Sequence, residues 1–483
     1  MALPTVAADA VPETAVTGAG VTGGVKLNRT LSVWHLWGLA VGLVISGEYF
    51  GWSYGWAAAG TLGFLITTVF VALMYTAFIF SFTELTAAIP RAGGPFAYSL
   101  RALGPFGGFM AGLATLIEFV FAPPAIALAI GSYMAVQFPA LEPRPVAVLA
   151  YLIFMTLNLV GVSIAATFEL VITVLAIAEL FVFMGVVAPS FSVANFVAGG
   201  WAGSDTFSLN ALRGALAAIP FAIWFFLAIE GAAMSAEEVR SPRKNIPRAY
   251  LGGIATLVVL AFGVMIFAGG VGDWRVLSDV NDPLPQAMRQ VVGDGSPMLH
   301  LLVGIGLFGL IASFHGIIMG YSRQFFALAR AGFLPGFLAR LHPRFKTPHY
   351  AILGGGVLGI AAIFSDSFVT FGGLSATATL VTMSVFGALA LYILSMVSLF
   401  RLRRLEPNLE RPFVAPGYPA VPAFALGASL VCLGTMVYFN LQIFALFMGF
   451  LLVGALYYAV AVRPRAGRFA ELERLATEET QEN

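Results

Sequence analysis

Twelve stretches of apolar residues, each long enough to cross about 30 Å of hydrocarbon, occupy this chain and restrict it to one kind of fold. With no water at that depth to satisfy backbone N–H and C=O groups, repeated runs of this length must be helices. The predicted spans lie at roughly 33–55, 60–89, 105–136, 146–164, 168–188, 214–235, 250–270, 299–329, 350–366, 373–400, 420–439 and 441–462. The expectation is an all-α integral membrane domain over residues 30–462. An N-terminal tail (1–29), small and polar with no secretory signal, and a charged C-terminal tail (463–483) flank it. Composition agrees: 10% of the 483 residues are charged, against about 25% in soluble domains. The net charge of +1 gives no reason to expect a nucleic-acid partner. A single cysteine, Cys432, excludes an internal disulfide and a thiolate metal cluster.

Basic residues set the predicted orientation. With the N-terminus inside and the spans alternating, only Arg144, Arg213, Arg275 and Arg289 of the 25 Lys and Arg fall outside. The positive-inside rule demands such an asymmetry, and a miscounted early span would scramble it. Both termini are therefore expected in the cytoplasm, and the chain in the plasma (inner) membrane as a multi-pass protein.

Four carboxylates fall near the middle of these spans: Glu48, Glu118, Glu179 and Glu230. A charge at the bilayer centre costs about 2.5–3.5 kcal/mol on insertion scales, so it usually marks a site or a pathway. No Lys or Arg lies equally deep, which leaves each carboxylate to take a proton or to bind an external cation. Glu48 stands in "SGEYFG" (46–51) and Glu230 in "AIEG" (228–231), and the glycines weaken helix by about 1 kcal/mol each relative to alanine. Freed main-chain groups at this depth are tolerable where they line a site. Interrupted helices at matching places in two halves, here spans one and six, point to a binding site between inverted repeats. Packing glycines beside protonated glutamates are the bland alternative.

Two longer motifs carry a family resemblance. The loop "PRAGGPFAYSLRALGPFGGFMAG" (90–112) and the segment "EEVRSPRKNIPRA" (237–249) resemble the connections after the second and sixth helices of amino acid–polyamine–organocation transporters. The resemblance implies the LeuT-type fold, a 5+5 inverted repeat with broken helices one and six, plus two extra helices. "SGEYFGW" (46–52) with "FFLAIEG" (225–231) is more narrowly similar to bacterial ethanolamine permeases. Many amino-acid-carrying relatives have a Gly-Ser-Gly-type break whose N–H groups hold a substrate carboxylate. Glu48 in that place would repel such a group and attract an ammonium. The sixth span also resembles the Trp-x-Phe-Leu-x-Val-Glu element of arginine/agmatine antiporters, which implies a gating role for Trp224 and a substrate or proton role for Glu230.

The expected substrate set is accordingly Glu48 and Glu230 for the ammonium, the main-chain carbonyls of Gly47 and Ala228, and Ser46 for a hydroxyl. Trp224, Phe225 and Tyr49 could add cation–π contacts of about 0.5–2 kcal/mol, although packing alone accounts for most aromatics in a chain with 43 Phe. Glu118, beside the helix-loosening Pro123 and Pro124, is a candidate third acid. Glu179 and His315 are candidates for coupling or gating. Some relatives have a lysine on the fifth helix that mimics a sodium ion. Glu179 in that region leaves H⁺ coupling, Na⁺ coupling and uncoupled entry open, with Na⁺ disfavoured. Arg323 and Arg330 have Glu84, Glu237 and Glu238 within plausible reach, without a pairing that the sequence can select.

The chain thus reads as a secondary transporter importing a small cationic amine, ethanolamine first, with the bilayer around it and no cofactor or metal. An amino acid or polyamine carrier of the same superfamily is the alternative; two separated acidic poles would suit a polyamine. A membrane-embedded enzyme lacks its motifs here, since there is no HExxH and no nucleophile elbow. The histidines of "HPRFKTPH" (342–349) lie in a basic loop, a poor metal site. No P-loop is present.

Overall fold

The computed structural model describes residues 29–91, 93–161, 165–367 and 370–465. The tail expectations at 1–29 and 463–483 lie almost wholly outside them. Among the described residues ten helices are long and apolar enough to cross a membrane, and an eleventh apolar helix, His349–Ile363, is shorter. The first predicted span is helical as well, but in pieces.

Those pieces are α1 (Val33–Gly42), α2 (Ser46–Tyr49) and the start of α3 (Trp52–Ala88). Then come α4 (Pro95–Gln137), α5 (Pro143–Val160) and α6 (Ala165–Val187). The sixth predicted span opens in the last turn of a short helix (Leu209–Ala217), continues as α7 (Ile219–Trp224) and ends as a 3-10 segment, Ile229–Glu238. The remaining long helices are α8 (Pro242–Gly269), α9 (Pro297–Arg330), α10 (His349–Ile363), α11 (Ala376–Leu405), α12 (Ala420–Phe439) and α13 (Leu441–Tyr457).

Two predicted boundaries survive inside continuous helices. Gly60 (φ 68°) divides α3 and Gly104 (φ 78°) divides α4, at the places where the apolar runs are separated. A side chain at Gly60 would strike the Gly200 carbonyl as well as strain the backbone. Pro123 and Pro124 do not interrupt α4, whose dihedrals stay helical there. Their effect is confined to two missing N–H donors, which release the carbonyls of Phe119 and Val120 next to Glu118.

α1 packs on α6 and α8, α9 on α4 and α6, and α11 along α4, so the two interrupted segments lie inside a wall of long helices. The start of the first interrupted segment is tied to the end of the second: Leu31 N–H donates to the Glu238 carbonyl at 2.9 Å and Arg240 N–H to that of Leu31 at 2.8 Å. At the end of α3, buried Glu84 accepts both arms of Arg403 (2.8 and 2.6 Å), the Ala415 N–H (2.7 Å) and, at 3.2 Å, Arg411 Nε. The sequence left Glu84 among three possible partners of Arg323 and Arg330; the structure gives it to α11 and the loop beyond.

Candidate functional site

Both expected interruptions are present, and they touch. α1 ends at Gly42, a turn through Leu43–Ile45 leads into the single turn of α2, and Phe50 is fully extended (φ −158°, ψ 178°). Gly51 follows at φ 92°, and a Cβ there would run into the Trp224 ring. In the second segment the helix stops after Trp224, and Ala228 adopts a left-handed conformation (φ 77°, ψ 5°). Gly47 lies against the Trp224 carbonyl and Phe225 Cα, so the two breaks meet backbone to backbone.

Every expected substrate residue is buried. Glu48, on α2, has no hydrogen-bond partner for either carboxylate oxygen, and it forms no ion pair with another described residue. Its main-chain carbonyl accepts from Trp52 Nε1 at 3.1 Å. Glu118 of α4 interacts electrostatically with Glu230, while both Glu118 oxygens and Glu230 Oε1 are buried without a hydrogen-bond partner. Two neighbouring buried carboxylates favour a proton or a cation between them. Tyr392 of α11 donates to Glu230 Oε2 at 3.3 Å and exchanges a 2.8 Å hydrogen bond with Tyr75 of α3, while Tyr250 donates to the Glu230 carbonyl at 3.1 Å. Glu118 is fixed by Ser384, which donates to its carbonyl at 2.8 Å. None of Glu48, Glu118 and Glu230 forms an ion pair with a described Lys or Arg.

Several expected contacts have other occupations. The Ser46 hydroxyl bonds that of Ser313 on α9 at 2.8 Å, and Ser313 donates to the Leu43 carbonyl at 2.6 Å; together they staple the first break to α9. The Ala228 carbonyl accepts from Gly231 N–H at 2.9 Å, so one of its lone pairs is used within the 3-10 turn. Tyr49 donates to Glu179 Oε2 at 2.7 Å and to the Ala176 carbonyl at 3.0 Å, and its ring packs on Gly306 and Gly309 of α9. Phe225 is stacked at 6.5 Å on Trp52 and tilted against Phe64. Trp224 meets Phe50 edge-on at 5.5 Å, and its indole N–H, buried, has no partner.

His315 on α9 faces Glu169 of α6, a carboxylate that the sequence reading passed over, at 3.8 Å. A narrow crevice runs between α1, the 3-10 segment and α9, past Leu43, Gly231, Gly316 and Gly320 to Arg323. Arg323 closes that end by pairing with Glu238 at 3.0 Å and bonding the Ser235 hydroxyl. Among the described residues no group of three or more His, Cys, Asp or Glu is arranged to hold a metal ion.

Comparison with known proteins places this architecture. The chain is 28% identical over 456 residues to a methylthioribose transporter of Bacillus subtilis (strain 168), covering 86% of this chain and 93% of that one. It is 23% identical over 461 residues to a branched-chain amino acid permease of the same organism, covering 91% and 94%. It is 26% identical over 331 residues to a low-affinity putrescine importer of Escherichia coli (strain K12), covering 65% and 70%. The sequence profile of the amino acid permease family matches residues 31–457, and this chain, a multi-pass membrane transporter, belongs to that family.

Proposed function

We propose that this chain is a secondary transporter that imports a small organic cation without a carboxylate, ethanolamine first, by alternating access. The three relatives named above carry, by their names, a thio-sugar, branched-chain amino acids and a diamine, so the family alone does not select a substrate. The observation that carries the reading is the set of three buried carboxylates, Glu48 and Glu230 at two touching helix breaks and Glu118 on α4, with no Lys or Arg ion-paired to them among the described residues. An amino acid would bring its own carboxylate against Glu48; an amine would neutralise it. Twelve crossings, an inverted repeat relating the two breaks, and cytoplasmic termini complete the proposal. Under it, Arg323–Glu238 closes the cytoplasmic side.

One observation favours a second reading. Glu48 lies on α2 of the first break and Glu230 in the second, with Glu118 on α4, and two acidic poles would suit a diamine. Uptake of labelled ethanolamine and labelled putrescine into proteoliposomes, each against excess L-amino acids, separates the readings. Saturable ethanolamine uptake, resistant to amino acids and abolished in Glu48→Gln, supports the first. Preferred uptake of putrescine moves the assignment to the diamine, and full competition by L-amino acids defeats both.

A further inference from the structure

The short helix Leu209–Ala217, which leads into α7, carries its leucines outwards. Its small residues face the bundle: a Cβ at Gly214 would collide with the Ala58 carbonyl, and Thr67 of α3 donates to the Ala215 carbonyl at 2.8 Å. Leu209, Leu212 and Leu216 share the opposite face and are exposed, Leu209 by 81%. On a multi-pass membrane protein such a face meets acyl chains. Ordinary lipid contact accounts for that much.

The surface beside the leucines is more specific. They form one wall of a groove whose other wall is the end of α12, with Gly434, Tyr438 and Phe439. Gly434 keeps the groove open, since a Cβ there would meet nothing within 4 Å. Arg213 is the one charged residue of the lining. Its guanidinium lies over the Phe439 ring, 6.0 Å from the centroid, and makes no hydrogen bond or ion pair with a described residue. A planar fork of N–H donors is therefore held beside an apolar groove with no acceptor of its own.

A phosphodiester is the acceptor that such a fork matches, through two oxygens at once. The lining contains no Asp or Glu, so the ammonium of a zwitterionic headgroup would find no carboxylate there. A second copy of the chain, docked with its two-fold axis through the groove, would set Arg213 against its own counterpart.

We propose that this groove seats one anionic phospholipid, its phosphate on Arg213 and an acyl chain along Leu209, Leu212, Leu216 and Gly434. On the orientation proposed above, the lipid belongs to the outer leaflet. The short helix is joined through Ala218 to α7, whose last residue, Trp224, stands at the second break. The bound lipid thus braces the half of the sixth span that ends at that break against α12.

Native mass spectrometry of the delipidated protein, offered phosphatidylglycerol and phosphatidylethanolamine in turn, tests this without any transport substrate. Wild type should retain one phosphatidylglycerol in preference to phosphatidylethanolamine. Arg213→Gln should weaken that retention by about tenfold and erase the preference. Gly434→Leu, which fills the groove and leaves the charge in place, should abolish retention. Gly427→Leu adds the same bulk at another open position of α12 and should behave as wild type. Excess inorganic phosphate, which has no chain, should not displace the lipid. In thermal unfolding, phosphatidylglycerol should raise the midpoint of wild type and Gly427→Leu but not of the other two variants. Equal retention of the two lipids, displacement by phosphate, or retention untouched by both Arg213→Gln and Gly434→Leu would overturn the site. So would a dimer, in place of bound lipid, that Gly434→Leu disperses. A lipid retained with no shift in the midpoint would overturn the bracing role.

Discussion

The hydroxyl of Tyr49, within the first break, donates to Glu179 Oε2 on α6 at 2.7 Å. A phenol–carboxylate hydrogen bond buried in a bundle is worth about 1.5–3 kcal/mol, and removing one partner leaves the other unsatisfied. The bond fixes α2 to a helix that also carries Glu169, and Tyr133 of α4 adds a 2.9 Å bond to the Tyr49 carbonyl. Tyr49→Phe should lower stability by about 1–3 kcal/mol and slow transport more than it weakens binding. Thermal unfolding in detergent and the split between KM and maximal rate check this.

Glu48 and Glu230 separate a binding role from a structural one. Replacing a structural buried group costs stability, whereas Glu48→Gln removes a buried charge that no described side chain neutralises. Its stability should hold or rise. Loss of a desolvated charge partner for an ammonium should weaken binding by about 2–5 kcal/mol, roughly 30-fold or more. Glu230→Gln should weaken binding as well but also disturb the bond from Tyr392. Substrate-induced thermal stabilisation, compared across the two variants and wild type, reads both effects at once.

The apolar runs made the helices legible because a bilayer permits little else, and the glycine-weakened stretches around Glu48 and Glu230 located both breaks. Legibility ended where burial depends on a partner far along the chain. Glu169 lies one turn inside α6, where a carboxylate ordinarily reaches the headgroups; it is buried because Gly42 and Gly316 let α1 and α9 close over it. No periodicity announces that contact. Tyr49 and Phe225 illustrate the reverse limit: their composition suits a cation cage, but Glu179 and the Trp52 ring already occupy the polar tip of one and a face of the other. The approach of Glu118 to Glu230 was likewise invisible, since helix order does not state which faces meet.

The Glu84 clamp predicts a stability effect largely independent of transport. Glu84 is 1% exposed and takes four hydrogen bonds or ionic contacts from α11 and the following loop. Removing one member of a buried, fully paired set strands the rest, at about 3–5 kcal/mol. Arg403→Met should therefore lower the unfolding midpoint sharply. The partly exposed Arg323–Glu238 pair should matter little for stability, about 1 kcal/mol or less. Arg323→Ala should instead raise labelling of a cysteine placed at Ser235, measured with a thiol reagent applied from the Arg323 side.

The close approach of the two breaks yields the sharpest steric test. A methyl at Gly47 would meet the Trp224 carbonyl and Phe225 Cα, main-chain atoms that cannot rotate away. Overpacking of this kind costs about 1–3 kcal/mol and would push α2 off the second break, carrying Glu48 with it. Gly185 of α6 supplies the control, since a Cβ there meets nothing within 4 Å. Gly185→Ala should be neutral or stabilising by up to about 1 kcal/mol, with uptake retained. Gly47→Ala should reach the membrane yet lose uptake by about tenfold or more, because the damage falls on the contact between the breaks rather than on the bundle. Surface expression measured beside uptake distinguishes that outcome from misfolding. Equal uptake by the two variants would mean that the contact between Gly47 and Trp224 does not constrain transport.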